Sequence, residues 1–249
     1  MNLPAGQPEL WRVSEIAAAG CHHLLMSGEP GAGKTMAAEL IRQLLPKPST
    51  KEILESQILL DISHQPYSLK RAFRAPHHSV STAGLVGGTR HANPGEISLA
   101  HNGILFLDEL PEFSLATIEA LRQPLETGEI QVTRAEQSHV YPARFQLVAA
   151  MNPCPCGWLG SRRPCRCSVE HITRYRNRVS GPILDRIDLQ VEVPALDPKK
   201  FFQEAPTRHR HEHDAAIDQI KQARAFRLKR LLTSPQQTDK NALDPDAKL

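Results

Sequence analysis

The 249 residues amount to ~1.7 domains at the usual length per domain, and 40% hydrophobic with 23% charged residues is globular usage that excludes a wholly disordered chain. Thirty Lys and Arg against 27 Asp and Glu leave a formal charge of +3, too mild to argue for nucleic acid by itself. No apolar run approaches the ~18 residues of a membrane-spanning helix, and the N-terminus lacks a basic region followed by an apolar one, so a cytoplasmic location is expected.

The first apolar run, His22 to Ser27, ends in glycine turns and suits a buried strand. Gly33 to Leu45 carries apolar residues at helical spacing and stops at Pro46. Ser49 with Glu52 forms the pattern of a capping box for a second helix, Thr50 to Asp61. Gly103 to Asp108 is a second buried-strand run, followed by helical spacing over Ser114 to Leu125. Glu129 to Arg134 and Ser138 to Pro142 are the arms of a predicted hairpin. Phe145 to Met151 and Ile187 to Val193 complete four buried strands alternating with helices, which predicts a parallel α/β sheet. Pro194, Pro198 and Pro206 then thin the pattern, and a basic helical stretch from Asp214 to Leu232 begins what reads as a second unit.

Two motifs carry chemistry. Gly28, Glu29, Pro30, Gly31, Ala32, Gly33, Lys34 and Thr35 match G-x-x-x-x-G-K-[ST] between a predicted strand and a predicted helix, the context a phosphate-binding loop requires. Backbone N–H groups of such a loop face the phosphates at the positive end of the helix. Lys34 would hold the β- and γ-phosphates of ATP, and Thr35 would ligate Mg²⁺. A carboxylate at Glu29 is unusual there, since it adds negative charge near phosphate. The second motif, ILFLDE over Ile104 to Glu109, ends a strand in two acids about 70 residues later. Asp108 would bind Mg²⁺, and Glu109 would orient and deprotonate the attacking water.

Cys154-x-Cys156 and Cys165-x-Cys167 place four thiols within 14 positions. Four thiolates can close a tetrahedral Zn²⁺ shell, although C-x-C is tighter than the usual C-x-x-C. A structural zinc, a reduced or redox-labile cluster, and disulfides are the open readings. Cys21 reads as a small buried residue. His77, His78 and His91, and the RHRHEH run at Arg208–His213, read as solvated or hydrogen-bonded rather than as metal ligands. Arg162, Arg163, Arg166, Arg174, Arg176 and Arg178 fall within 17 residues, a cluster that can bind phosphate but is more commonly a solvated face.

Several longer segments occur in order: RAPHHS (Arg74–Ser79), PGEISLAHNG (Pro94–Gly103), FLDELPEF (Phe106–Phe113), EALRQPLE (Glu119–Glu126), PARFQLVAAMNPCPCG (Pro142–Gly157) and SGPILDRIDL (Ser180–Leu189). With the two motifs above, they resemble the magnesium-chelatase-like AAA+ ATPases of the YifB/ComM family over nearly all of residues 6–195. The resemblance implies an AAA+ P-loop fold, a parallel sheet flanked by helices, over residues 1–195. Residues 196–249 then hold a linker and the start of a small helical lid. It implies a sensor role for Asn152, an arginine finger at Arg186 that completes a neighbouring subunit's ATP site, and a base-contacting turn at Gly6 and Gln7. It further implies a Lon-protease-like domain ahead of the ATPase and a longer lid behind it, so the chain is expected to be a fragment.

By the same resemblance, the expected function is an ATP-dependent DNA motor like the branch-migration helicases of natural transformation. Its homo-oligomeric, hexameric ring would grip DNA without reading sequence, through pore loops at 79–96 and at 129–141, the latter carrying Arg134. The alternatives are a magnesium-chelatase subunit that drives metal insertion into a porphyrin, and a non-hydrolysing nucleotide-binding assembly module.

Overall fold

The computed structural model describes residues 7–88, 92–134, 137–195 and 206–233; Gly6, His91 and the Arg134 side chain lie outside the described residues. The chain opens with α1 (Pro8–Gly20), β1 (Leu24–Gly28), α2 (Lys34–Leu44), α3 (Thr50–Ile62) and the short β2 (Phe73–Arg74). Next come α4 (Thr82–Val86), α5 (Glu96–Leu99), β3 (Ile104–Leu107), a 3-10 turn (Leu110–Glu112), α6 (Leu115–Glu119) and α7 (Arg122–Thr127). The hairpin β4 (Glu129–Arg134) and β5 (Gln137–Pro142), then β6 (Gln146–Met151), precede α8 (Val169–Arg176), α9 (Gly181–Leu184), β7 (Leu189–Val193) and α10 (Pro206–Thr233).

Five strands form one sheet in the order β2-β3-β6-β1-β7, and every pairing in it is parallel. Side chains on a strand alternate between faces, and the core divides accordingly. Leu24, Met26, Ile104, Phe106, Val148 and Ala150 pack against α1, α2 and α10 through Leu10, Ala17, Leu40, Ile41, Ala216 and Ile220. Leu25, Leu105, Leu107, Leu147 and Ala149 face the other way, onto Leu85, Ile97, Leu110, Phe113, Ile118 and the hairpin residues Ile130 and Val132. Each fully buried leucine contributes about 2 kcal/mol by area removed from water. The result is three layers, with the sheet in the middle.

The capping box of α3 forms as its sequence pattern implies, Ser49 accepting from the Glu52 N–H and Glu52 accepting from the Ser49 N–H. Glu52 does more. Its carboxylate also forms a buried two-pronged pair with Arg71, at 2.6 and 3.0 Å. Arg71 donates further to the Pro46 and Asn102 carbonyls, both at 2.7 Å. One ion pair thus ties the end of α2, the start of α3 and the entry to β3.

The predicted helix over Ser114 to Leu125 is two short helices. Pro124 has no N–H to donate, and its ring would clash with the Ala120 carbonyl, so the turn breaks around Ala120 and Leu121 and restarts. The predicted strand over His22 to Ser27 begins at Leu24, because the His23 N–H donates to the Asp188 carboxylate at 2.7 Å rather than to a neighbouring strand. Helix α10 begins at Pro206, ahead of the predicted Asp214, and packs on α1, with Arg224 donating to the Ala18 carbonyl at 2.6 Å.

His23 is buried at the entry to β1, and its Nδ1 accepts the Leu147 N–H at 2.9 Å. Burial lowers its pKa from 6.5 to about 4, outweighing the attraction of Asp188. Between those values the unfolded chain binds a proton that the fold refuses, so this stability is complete above pH 6.5 and is lost as pH falls toward 4. A drop of about 2 kcal/mol between pH 7 and pH 5 is expected, at 1.36 kcal/mol per pKa unit. Thermal melts should show it in the wild type, and a smaller drop in His23→Gln, which keeps an acceptor for the Leu147 N–H.

Candidate functional site

Parallel strands leave the sheet at one edge, and three adjacent strands there deliver the candidate groups. β1 ends in Gly28 and opens into the loop that turns into α2. Gly31 and Gly33 hold φ of +83° and +92°, a left-handed backbone that glycine adopts without strain. Gly33 caps α2, and Lys34 is the first helical residue. At the neighbouring strand, β6 ends in Met151 and presents Asn152. One strand further, β3 presents Asp108 and Glu109.

The loop closes around the lysine. Lys34 Nζ donates to the Gly28 carbonyl at 2.6 Å, the Glu29 carbonyl at 3.0 Å and Asn152 Oδ1 at 3.3 Å. The Ala32 N–H bonds the same Glu29 carbonyl at 3.2 Å. Burial lowers the Lys34 pKa, and the charges of Asp108, Glu109 and Glu29 oppose that shift. The Glu29 carboxylate therefore has a use in this arrangement: it favours the ammonium form. Pro30 and Gly31 are exposed at the loop's crown, and a side chain at Gly31 would meet nothing within 4 Å, so the loop faces open space.

Thr35 Oγ1 donates to Asp108 Oδ2 at 3.3 Å, bringing together two hard oxygen ligands, each exposed. That donor set fits Mg²⁺, which takes one or two protein oxygens beside phosphate and water. Glu109 stands in the left-handed region at φ +53°, a strained setting for a residue with a side chain. Its N–H donates to Asp108 Oδ1 at 2.9 Å, and its carbonyl accepts from Glu112 at 2.7 Å. Its carboxylate Oε2 lies 3.2 Å from His78 Nδ1. His78 packs against the His77 ring, with centroids 4.0 Å apart, and edge-on to Phe113. From sequence alone His78 reads as solvated or hydrogen-bonded; the fold places it against Glu109, a neighbour that no local pattern announces.

Gln7, at the start of α1, donates to the Pro194 carbonyl at 2.8 Å and is buried. Pro194 follows β7, whose last residue pairs with Gly28, so this turn lies beside the loop. Arg186 is elsewhere. It precedes β7, whose first residue pairs with Leu24 at the start of β1, so it stands at the edge where strands enter. The length of β1, roughly 15 Å at 3.3 Å per residue, separates that edge from the loop. Its guanidinium is held by Glu126 and by the Pro182 carbonyl, both at 2.7 Å.

All four clustered cysteines meet. The sulfurs of Cys154, Cys156, Cys165 and Cys167 lie within 4.8 Å of one another, and none is in a disulfide. The backbone N–H groups of Arg166 and Trp158 lower Cys156 to about 6. The Cys167 N–H favours the Cys165 thiolate, but desolvation and the thiols of Cys156, Cys154 and Cys167 together push Cys165 up to about 12. Like charges this close oppose one another's ionisation, and a cation among them would relieve that repulsion. Cys21 is buried apart from them, its sulfur 2.7 Å from an Arg224 nitrogen.

Comparison with known proteins agrees with this layout. The family described as "Magnesium chelatase, subunit ChlI" matches residues 2–201. The chain is 52% identical over 198 residues to the protein YifB of Escherichia coli, covering 78% of this chain and 39% of that protein. It is also 52% identical over 196 residues to the competence protein ComM of Haemophilus influenzae, covering 77% and 38%. The chain thus spans about two fifths of the length of these relatives. Among solved structures, NtrX from Brucella abortus in complex with ATP aligns with a TM-score of 0.51 at 16% identity, over 84% of this chain and 42% of that one. The fold is that of an AAA+ ATPase, and no helix among the described residues is long and apolar enough to cross a membrane.

Substituting Lys34→Ala removes the cation that the loop wraps. ATP affinity should fall on the order of a hundredfold, as the loss of charged hydrogen bonds worth about 3 kcal/mol implies. Asp108→Asn should instead leave Mg²⁺-free binding unchanged and abolish the tightening that Mg²⁺ brings. Titration of a fluorescent ATP analogue with and without EDTA reads both.

Proposed function

The chain belongs to the magnesium chelatase, subunit ChlI, family of AAA+ ATPases, and on that premise we propose that it hydrolyses ATP to drive a ring-shaped motor on DNA. The observation that carries the reading is the meeting of Lys34, Thr35, Asn152, Asp108 and Glu109 at one sheet edge. ATP with Mg²⁺ supplies the transferable phosphoryl group and neutralises its charge. The loop from Gly28 to Thr35 would surround the phosphates with N–H donors, while Lys34 exchanges its carbonyl partners for phosphate oxygens. Thr35 and Asp108 would be the protein's ligands for the magnesium. Glu109 would take the proton of the attacking water, and Asn152 would hold that water in line. Release of Glu109 from His78 would free its carboxylate for the task.

Arg186, at the far edge, serves a neighbouring subunit's nucleotide rather than its own. A guanidinium there would offset charge developing on the phosphoryl group. Hydrolysis then requires head-to-tail contacts between subunits, which close into a ring, proposed as a hexamer. Residues 1–195 form the ATPase core in this reading, and residues 196–249 a linker and the start of a helical lid, in a cytoplasmic protein. Segments 79–96 and 129–141 would line the pore. The hairpin is braced for this by the Tyr141 hydroxyl, which donates to the Ala92 carbonyl at 3.1 Å and so joins the two segments. The four cysteines would hold one structural Zn²⁺.

A second reading, suggested by the family's name, is a magnesium-chelatase ATPase subunit that would drive metal insertion into a porphyrin. DNA-dependence of turnover separates the two. Adding single-stranded or branched DNA should raise the ATPase rate several-fold, and the stimulation should fall steeply with salt, as phosphate contacts require. Glu109→Gln should bind ATP as the wild type does and lose turnover by about a hundredfold or more. A rate indifferent to every DNA form would contradict the DNA motor and support the chelatase reading.

A further inference from the structure

The cysteine tetrad sits against the nucleotide loop. Cys154 is buried two residues beyond Asn152, and the Gly157 N–H closes the turn onto the Cys154 carbonyl at 2.9 Å. Gly157, at φ +82°, lies flat on Pro30 of the loop: a Cβ there would come within 2.9 Å of the Pro30 Cδ and Cγ, and 4.0 Å from the Asn152 Cγ. The turn therefore leaves no room for a side chain between itself and the loop that would hold phosphate, and it lies beside the side chain that contacts Lys34.

The other end of the cysteine segment returns to the same place. Ser168, directly after Cys167, caps α8 by accepting the His171 N–H. From α8, Arg176 donates to the Pro153 carbonyl at 3.2 Å, and Tyr175 is buried. The residue after Asn152 is thus held by α8, which follows the loop whose two ends meet at the sulfurs. Residues 153–168 form no helix or strand, and Pro153, Pro155 and Pro164 deny them a hydrogen-bonded ladder of their own.

Sulfur geometry suits a metal. The Cys154–Cys156, Cys154–Cys165 and Cys156–Cys165 separations are 3.4, 3.7 and 3.6 Å. A regular tetrahedron of sulfurs about 2.3 Å from zinc has edges of about 3.8 Å, whereas a disulfide needs about 2.05 Å. Zn²⁺ entry would release the thiol protons to solvent and leave a Zn(Cys)₄ centre of charge −2. Arg162, Arg163 and Arg166, all exposed on this segment, offset that charge.

We propose that the zinc-filled tetrad is a strut for the nucleotide site, fixing Pro30 and Asn152 so that ATP affinity depends on zinc occupancy. The proposal rests on the zinc and ATP readings given above. Because coupling between two ligands is reciprocal, ATP should tighten zinc by the factor by which zinc tightens ATP.

The test uses the full chain, with zinc content measured by elemental analysis and ATP affinity by fluorescence titration at constant Mg²⁺. A zinc-selective chelator should weaken ATP binding about tenfold, within the usual range of coupling between sites, and re-added zinc should restore it. The Cys165→Ser/Cys167→Ser variant should carry no zinc and show the weakened affinity without rescue. Gly157→Val, which pushes on Pro30 from outside the tetrad, should keep zinc and still weaken ATP. Zinc that comes and goes with no change in ATP affinity would overturn the strut and leave the zinc site standing. Protein that takes up no zinc under any loading would overturn the site and the strut together. Zinc-loaded wild type that binds no ATP would overturn the nucleotide reading on which the strut depends.

Discussion

The structure depends on the parallel alignment of β3, β6 and β1. Parallel strands end on the same side, so the three segments that follow them are forced into one neighbourhood however far apart they lie in sequence. Lys34 and Asn152 are 118 residues apart, and Thr35 and Asp108 are 73 apart; each pair is within hydrogen-bond reach because β6 lies between β1 and β3. The alternation of apolar residues on those strands then fixes register, since a slip of one residue would turn Leu25, Leu105 and Leu147 onto the wrong layer. Packing on both faces makes the edge rigid, and rigidity is what a charged site needs.

That edge concentrates features that cost stability. A lysine is buried among carbonyl oxygens, and a glutamate is held at positive φ. Both are tolerable because the surrounding layers over-determine the backbone. Lys34 with carbonyl partners only is a cation waiting for a better anion, and Glu109 against His78 is a carboxylate kept from acting alone. The buried Glu52–Arg71 pair stands apart from the site and anchors the far entry of β3, so strain at one end of the strand is opposed by a fixed point at the other.

Much of this was legible in sequence, for reasons of range. The α3 capping box is a contact over three residues, and the Ser49 and Glu52 pattern announces it. Ile104–Leu107 and residues 147–151 are apolar runs buried at every position, which is how a central parallel strand reads. Helix α1 was missed because its buried face is made largely of Ala17 and Ala18, too small to stand out as a hydrophobic stripe. Helix α8 buries only Tyr175, so it has little periodicity to detect. The break between α6 and α7 was written in Pro124, but the apolar spacing of Ile118, Leu121 and Leu125 ran straight through it. The contacts of His78 with Glu109 and of Gly157 with Pro30 join residues far apart in sequence. No local pattern encodes them.

The same sheet that gathers five groups at one edge strands Arg186 at the other, and the proposed active site would be completed only between subunits. Mixing two inactive variants tests this most directly. Glu109→Gln lacks the base but offers a sound Arg186, and Arg186→Ala lacks the finger but offers a sound Glu109. Each alone should be nearly inactive. In an equal mixture, random assembly joins a sound Glu109 to a sound Arg186 at about a quarter of the interfaces of a head-to-tail ring, so ATPase activity should return to roughly that share of wild type. A mixture no more active than its separate components would contradict the shared site.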